Sequence, residues 1–196
     1  IKILLPQLKS LVQQIPTFRF LLARLFYNDG LITIFAFGGV YASVTFGMQT
    51  SEILVFGIAL NVAAGIGALS FASLDDKLGS KKIVYTSLVA LCIATLLAAL
   101  SPNRLFFWIA GILIGLFAGP NQAASRSLLS HLAPAQHRSE FFGFYALSGK
   151  LTAFMGPLLL GIATKHFGNM RAGVAMGLLF FIVGIVLLLT VPAAKK

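Results

Sequence analysis

Acidic side chains are scarce in this sequence of 196 residues, where five aspartates and glutamates stand against fifteen lysines and arginines. Charged residues together make up 10% of the chain, and 58% of it is hydrophobic, above the roughly 45–50% apolar share of soluble domains. A soluble helical bundle keeps a polar stripe on the outer face of each helix, but the stretch GLLFFIVGIVLLLTV has none. Water is therefore not the solvent that surrounds most of this chain.

Cysteine and catalytic motifs are also missing or nearly so. Cys92 is the only cysteine, which excludes an internal disulfide, and it lies in an apolar stretch where a packing role is expected. The three histidines lack metal-ligand spacing, and the sequence has no phosphate loop, nucleophile elbow or zinc-binding helix. We therefore expect no enzyme, no cofactor, no metal site and no nucleotide hydrolysis within this chain.

Uncharged apolar stretches fill most of the sequence, and a single lysine interrupts one of them. A helix that rises 1.5 Å per residue needs about 20 residues to cross roughly 30 Å of hydrocarbon. We predict an all-α membrane protein with a six-helix transmembrane domain at 18–196, preceded by an amphipathic cytoplasmic connector at 1–17. The six stretches cover about 30–47, 53–74, 83–101, 105–120, 141–164 and 172–191.

The formal net charge of +10 comes from dispersed bases that lack interleaved aromatic residues, so nucleic acid is not the expected partner. Membrane lipid headgroups are the expected anionic neighbours. If alternate loops share one side of the membrane, most bases lie on that side, and the positive-inside rule predicts that both termini are cytoplasmic. The richer side holds Lys2, Lys9, Arg19, Arg24, Lys77, Lys81, Lys82, Arg138, Lys195 and Lys196; the other holds Arg104, Lys165 and Arg171.

Two loops carry the same spacing pattern and fall on opposite sides of the predicted membrane. A three-helix unit repeated with inverted topology produces such a match, and inverted repeats are typical of secondary transporters. We predict two inverted three-helix repeats, with the third helix of each facing lipid because its polar groups are only hydroxyls. The two sets, each spaced by four, three and three residues, are Ala72, Asp76, Gly79, Lys82 and Gly161, Lys165, Gly168, Arg171.

The segment ASLDDKLGSKK resembles the loop motif of the major facilitator superfamily. Ala72 stands where that motif has a glycine, and Ser80 stands where it has a base. FYNDG at 26–30 and the run from NQAASRSLLSHLAP into EFFGFYALSGKLTAFMGPLLLG at 121–161 are more specific. Together they resemble the carboxy-terminal half of the autophagy-related vacuolar effluxer subfamily and its bacterial relatives. The matching loop residues are Asp76, Lys77, Gly79, Lys81 and Lys82.

The resemblance implies a twelve-helix transporter built from two six-helix halves, of which this chain supplies the second. Such a protein moves a small-molecule solute by alternating access, and eukaryotic relatives are associated with release of amino acids from the vacuole. The expected partner is the amino-terminal half of the same transporter or a second copy, and the expected location is a bacterial inner membrane. The matched loop would form a cytoplasmic gate that braces the helices, and the alternative is a loop whose charge only sets the topology. A non-transporting membrane scaffold or receptor that retains the fold is the alternative. Because the sequence starts at Ile1 and lacks a signal-peptide pattern, it reads as part of a longer polypeptide.

Asp29, at the edge of the first predicted span, is the only carboxylate expected to sit within a span, because Glu52 and Glu140 fall at span ends. A carboxylate in a low-dielectric site can carry a proton or bind a cation, so Asp29 is the coupling candidate. The alternative is a structural role, because NDG is also turn chemistry and Asp29 could cap a helix that starts at Gly30.

Two bases within the spans are candidates for binding a solute. Arg126 shares one helical face with Gly115, Gly119 and Gln122, and its planar guanidinium suits a carboxylate or phosphate. The alternative is an arginine that snorkels to the headgroups. Lys150 lies deeper in the fifth span, where it should face water, a carboxylate or a solute. Its alternative role is a structural ion pair.

Tyr145 and Asn61 complete the predicted solute-binding residues, together with Gln122. Tyr145 begins a polar stripe in the fifth span, beside a stripe of small residues that favours helix packing. Asn61 lies between two glycines in the second span, at intervals of four. It could line a cavity or make an interhelical hydrogen bond.

Overall fold

The computed structural model describes residues 14–192, and every element in that range is helical. Residues 1–13 of the predicted connector lie outside the described residues, and its end at 15–17 already belongs to the first helix. A 3-10 turn at Ala135–His137 precedes the fifth span. The helices are α1 (Ile15–Phe46), α2 (Thr50–Leu78), α3 (Ser80–Leu100), α4 (Arg104–Leu132), α5 (Arg138–Leu151), α6 (Met155–Phe167) and α7 (Met170–Leu189).

Six of the apolar helical segments are long enough to cross a membrane, so the prediction of an integral membrane protein with six spans is confirmed. The fifth span consists of α5 and α6, with an interruption at 152–154. The first span starts at Ile15, earlier than the predicted 30, and the fourth runs to Leu132, beyond the predicted 120. The predicted bounds stop at polar residues, but in these two spans such residues bond to other helices. The helix therefore continues through them.

The first and fourth spans are tied together at both ends by reciprocal hydrogen bonds. At one end, Thr17 Oγ1 near the start of α1 donates to the Leu132 carbonyl at the end of α4 (3.1 Å). At the other end, Arg104 Nε at the start of α4 donates to the Phe46 carbonyl at the end of α1 (2.8 Å). The last carbonyls of a helix lack intrahelical partners and attract cations, which explains these bonds.

The third and sixth spans repeat this arrangement. Lys81 Nζ at the start of α3 donates to the Val191 carbonyl just beyond α7. Arg171 Nη1 at the start of α7 donates to the Ala99 carbonyl near the end of α3 (2.9 Å). The glycines that precede these two helices, Gly79 and Gly168, both have positive φ, at 88° and 62°. The first span is thus bonded to the fourth, and the third to the sixth, by matching pairs of hydrogen bonds at the two ends of each helix pair. This correspondence supports the predicted pair of inverted repeats.

The helices pack closely where glycines meet a neighbouring backbone. A Cβ at Gly119 of α4 would lie 1.9 Å from the Ala64 carbonyl oxygen of α2, and one at Gly67 would lie 1.9 Å from that of Leu116. The face predicted from Gly115 and Gly119 is thus a helix contact. The third span also exposes an aliphatic stripe that fits hydrocarbon, formed by Ile93, Leu96, Leu97 and Leu100.

Candidate functional site

Asp29 lies beside the interruption of the fifth span. Its side chain is 1% exposed, and its Oδ2 accepts a hydrogen bond from the backbone N–H of Gly156 (3.1 Å). Gly156 lies in the first turn of α6, where backbone N–H groups lack helical partners and attract negative charge. Asp29 therefore caps α6 from the neighbouring helix. The alternative in which Asp29 caps a helix starting at Gly30 is wrong, because α1 runs unbroken through both residues.

The contact between Asp29 and α6 depends on a glycine. A Cβ at Gly156 would lie 1.7 Å from Thr33 Oγ1, which donates to the Asp29 backbone carbonyl (2.8 Å). Within the described range, the second carboxylate oxygen, Oδ1, is buried without a hydrogen-bond partner. A buried oxygen left unpaired costs free energy, so Oδ1 is the atom of this site at which a further binding partner would be stabilising.

Arg24 lies one turn before Asn28 on α1 and packs against α5, with 9% of its surface exposed. Its Nη1 donates to the Tyr145 carbonyl (2.8 Å) and to Ser148 Oγ (3.0 Å). Its guanidinium carbon lies 3.4 Å from the centroid of the Tyr145 ring, a cation–π contact. The sequence analysis counted Arg24 among the loop bases, and that placement is wrong, because the residue is nine positions inside α1 and faces another helix.

The two predicted solute-binding residues of the fifth span differ in their exposure. Tyr145 is 8% exposed and forms the platform beneath Arg24. Lys150 is exposed on the face of α5 that no helix of this half covers. Among residues 14–192 Lys150 makes no hydrogen bond or ion pair, so the predicted structural pair is not formed within this half.

Gln122, Arg126 and Asn61 are also exposed. Gln122 and Arg126 lie one turn apart on α4. Asn61 Nδ2 donates to the Gly57 carbonyl of its own helix (2.8 Å), so within the described helices it makes no interhelical bond. The structure thus brings Arg24 and Tyr145 together, places Asp29 against Gly156 of α6, and leaves Asn61 on a separate helix.

The predicted gate loop connects the ends of four spans. Gly79 takes φ +88° between α2 and α3, and its N–H bonds to the Asp75 carbonyl (2.9 Å). Lys81 binds the Val191 carbonyl, and Ser80 Oγ lies 2.9 Å from Ser127 Oγ on α4. Asp76, Lys77 and Lys82 are exposed. The loop therefore braces α2 and α3 against α4 and the end of α7.

Comparison with known sequences identifies the family. The family model described as "Vacuole effluxer Atg22 like" matches residues 1–196. The chain is 34% identical over 185 residues to YxiO of Bacillus subtilis strain 168, named an uncharacterised MFS-type transporter, covering 94% of this chain and 43% of YxiO. It is 28% identical over 192 residues to autophagy-related protein 22 of Cryptococcus neoformans strain JEC21, covering 89% of this chain and 34% of that protein. The chain thus spans less than half the length of these relatives.

Comparison with solved structures identifies the fold. The crystal structure of the Escherichia coli fucose:proton symporter FucP matches with a TM-score of 0.82 at 16% identity, covering 95% of this chain and 45% of FucP. At this identity the match concerns the fold alone. Membership of the predicted family and the predicted half-transporter architecture are both confirmed. This chain belongs to the Atg22-like vacuole effluxer family and has the fold of one six-helix half of a major facilitator superfamily transporter.

Proposed function

We propose that this chain is half of a secondary transporter that moves a small polar solute across a membrane by alternating access. Amino acids are the proposed solutes, because the family is described as vacuole effluxers and the relatives include autophagy proteins. The second half would come from the same polypeptide or from a second copy. Both termini would lie in the cytoplasm, the side to which the lysine-rich Asp76–Lys82 loop belongs under the positive-inside rule.

The buried carboxylate of Asp29 at the interruption of the fifth span is the observation that carries this proposal. Broken helices at mid-membrane are typical binding and coupling elements of secondary transporters. A proton on Asp29 would remove the negative charge that caps α6 and so weaken its bond to Gly156. The orientation of α6 relative to α1 would then depend on protonation, which couples proton movement to the change between inward and outward access.

The exposed polar residues would line the solute path between the two halves. Lys150, Arg126, Gln122 and Asn61 all lie on faces that this half leaves uncovered, and polar groups at membrane depth face a cavity or a bundle interior. Tyr145 would shape the path indirectly by holding Arg24.

Transport in proteoliposomes tests this function. The transporter containing this half should accumulate a labelled amino acid when a pH gradient is imposed. The variant Asp29→Asn keeps an oxygen that can accept the Gly156 N–H but cannot take up a proton. It should lose gradient-driven accumulation and retain exchange of solute between the two sides.

The matched control is Glu140→Gln, which neutralises a half-buried carboxylate whose described partner is His137. It should transport like the unmodified protein. Full gradient-driven accumulation by Asp29→Asn would refute the coupling role of Asp29. Binding of a solute without any flux would favour the alternative of a receptor or scaffold.

A further inference from the structure

Arg24 is a buried cation without an acidic partner in the part of the chain that the structure describes. The acidic side chains with described ion pairs include Glu52, which pairs with Arg104, and Glu140, which pairs with His137. Asp29 lies five residues after Arg24 on the same helix, but its side chain bonds to the Gly156 N–H instead. Burial of a charge costs several kcal/mol unless it is paired and hydrogen-bonded. Arg24 has neutral acceptors and an aromatic ring, which leave its positive charge uncompensated.

The hydrogen bonds of Arg24 leave one edge of its guanidinium available. Nη1 carries two N–H groups, and its two bonds to Tyr145 and Ser148 use both of them. Nη2 makes one long contact with Asn28 Oδ1 (3.4 Å), and Nε makes no hydrogen bond to a described residue. Nε and Nη2 form the edge with which arginine binds carboxylates through two parallel N–H bonds.

The surroundings fix this edge and keep it reachable. The Tyr145 ring holds the guanidinium plane, and Gly149 lets α5 approach Arg24 closely, since a Cβ there would lie 3.1 Å from Nη1. Asn28 and Gly149, which border the guanidinium, are only half-buried. Lys150 follows Gly149 directly in sequence, is exposed and has no partner within the described helices, so it adds a second positive charge to this part of α5.

We propose that Arg24 binds the carboxylate of the transported solute through its Nε and Nη2 edge, with Lys150 attracting the anion. This inference rests on the proposed transport function and specifies the class of solute, namely one that carries a carboxylate. The shared chemistry would also accept a carboxylate side chain of the partner half or an inorganic phosphate, and the experiment below separates these sources.

Binding measurements on the complete transporter in detergent test the inference. The probes are L-alanine, L-leucine, L-glutamate and succinate, the amides of the first two, glucose and inorganic phosphate. At least one carboxylate should bind, and its amide should bind at least about tenfold more weakly, the effect of losing one charge-assisted hydrogen bond. Arg24→Lys keeps the charge and loses the planar fork, so it should raise the Kd of that carboxylate at least about tenfold.

Arg19→Lys is the matched control, because Arg19 lies on the same helix, is exposed and bonds only to the Thr190 carbonyl. It should leave the Kd unchanged. A carboxylate Kd that stays within twofold in folded Arg24→Lys protein overturns the inference, and so does preferential binding of phosphate. Loss of thermal stability in Arg24→Lys with an unchanged Kd would assign Arg24 to a pair with the partner half, which also overturns it.

The comparison of each acid with its amide needs no variant protein. It therefore tests whether binding requires the carboxylate even where Arg24→Lys fails to fold. Equal binding of acid and amide overturns the inference. Saturable flux of glucose that no carboxylate inhibits would overturn the carboxylate site while the transport proposal stands. Absence of both binding and flux for every probe would overturn the two proposals together.

Discussion

Replacement of Gly156 by alanine should destabilise the contact between α1 and the broken fifth span. The added Cβ would lie 1.7 Å from Thr33 Oγ1, about half the roughly 3.5 Å of ordinary van der Waals contact. It would also lie 3.0 Å from the Thr33 Cβ and 3.2 Å from the Asp29 carbonyl oxygen. Because Thr33 Oγ1 is itself bonded to that carbonyl, it cannot rotate away without losing a hydrogen bond.

The expected cost combines overpacking and a lost hydrogen bond. Overpacking of a close contact costs about 1–3 kcal/mol, and a hydrogen bond contributes about 1 kcal/mol. We expect Gly156→Ala to lower the free energy of unfolding by about 2–4 kcal/mol, with much of the loss recovered in the double variant Gly156→Ala/Thr33→Ala. The recovery identifies Thr33 as the obstacle, because Thr33→Ala removes the oxygen and keeps the Cβ.

Unfolding of the purified protein in mixed micelles, titrated with a denaturing detergent, measures these values. Gly161→Ala is the matched control, since Gly161 lies in the same helix and a Cβ there meets no atom within 4 Å. It should be neutral or stabilising, because alanine favours helix over glycine. An unfolding free energy of Gly156→Ala equal to that of Gly161→Ala would refute the close contact between α1 and α6, and with it the capping of α6 by Asp29.

Three further predictions concern the ends of the helices, and the same unfolding titration measures each. Arg104→Ala should cost about 1–3 kcal/mol, because it removes bonds to the Phe46 and Gly47 carbonyls; unchanged stability would contradict the tie between α1 and α4. Lys81→Ala should cost about 1 kcal/mol by freeing the Val191 carbonyl, whereas the exposed Lys82→Ala should cost less. Gly79→Ala should cost about 1–3 kcal/mol because its φ is +88°, while Gly143→Ala, in a helix with open space around its Cβ, should not destabilise.

Hydropathy predicts the number and order of the spans because hydrocarbon excludes charge over about 20 residues at a time. It fails at the start of α1, where charged and amide residues lower the apolar average. The structure gives these side chains partners on other helices. Arg19 donates to the Thr190 carbonyl, and Arg24 donates to that of Tyr145. A hydropathy average over one segment cannot include hydrogen-bond partners that lie more than a hundred residues away in sequence.

The end of α4 is underestimated for the same reason. Asn121 lies just past the predicted end of the fourth span and is fully buried, with its Nδ2 donating to Ser87 Oγ (3.1 Å). A polar residue with a partner on a neighbouring helix continues a span, whereas an unpartnered one ends it.

The candidate site is only partly visible in the sequence. Asp29 stands out as a lone carboxylate in an apolar region, but its partner Gly156 is 127 residues away. The interruption of the fifth span was missed, although Pro157 in the first turn of α6 was an available signal, since proline is favoured at helix starts. Arg24 was missed because charge near a terminus reads as a loop. Its spacing of four from Asn28 was the signal that both share one buried helical face.

The two inverted repeats have matching hydrogen bonds at the ends of their first and third helices and differ in their middle helix. Hydrogen bonds at the helix ends are reciprocal between the first and fourth spans and between the third and sixth, so these four helices form a symmetric support. The second and fifth spans are the remaining pair, and α2 is continuous while its counterpart breaks at 152–154. Asp29, Arg24 and Lys150 all lie near that break. Because interrupted helix bonds favour bending at that point, we expect the fifth span to bend at 152–154 more readily than the symmetric frame, next to the residues that we propose for proton and solute binding.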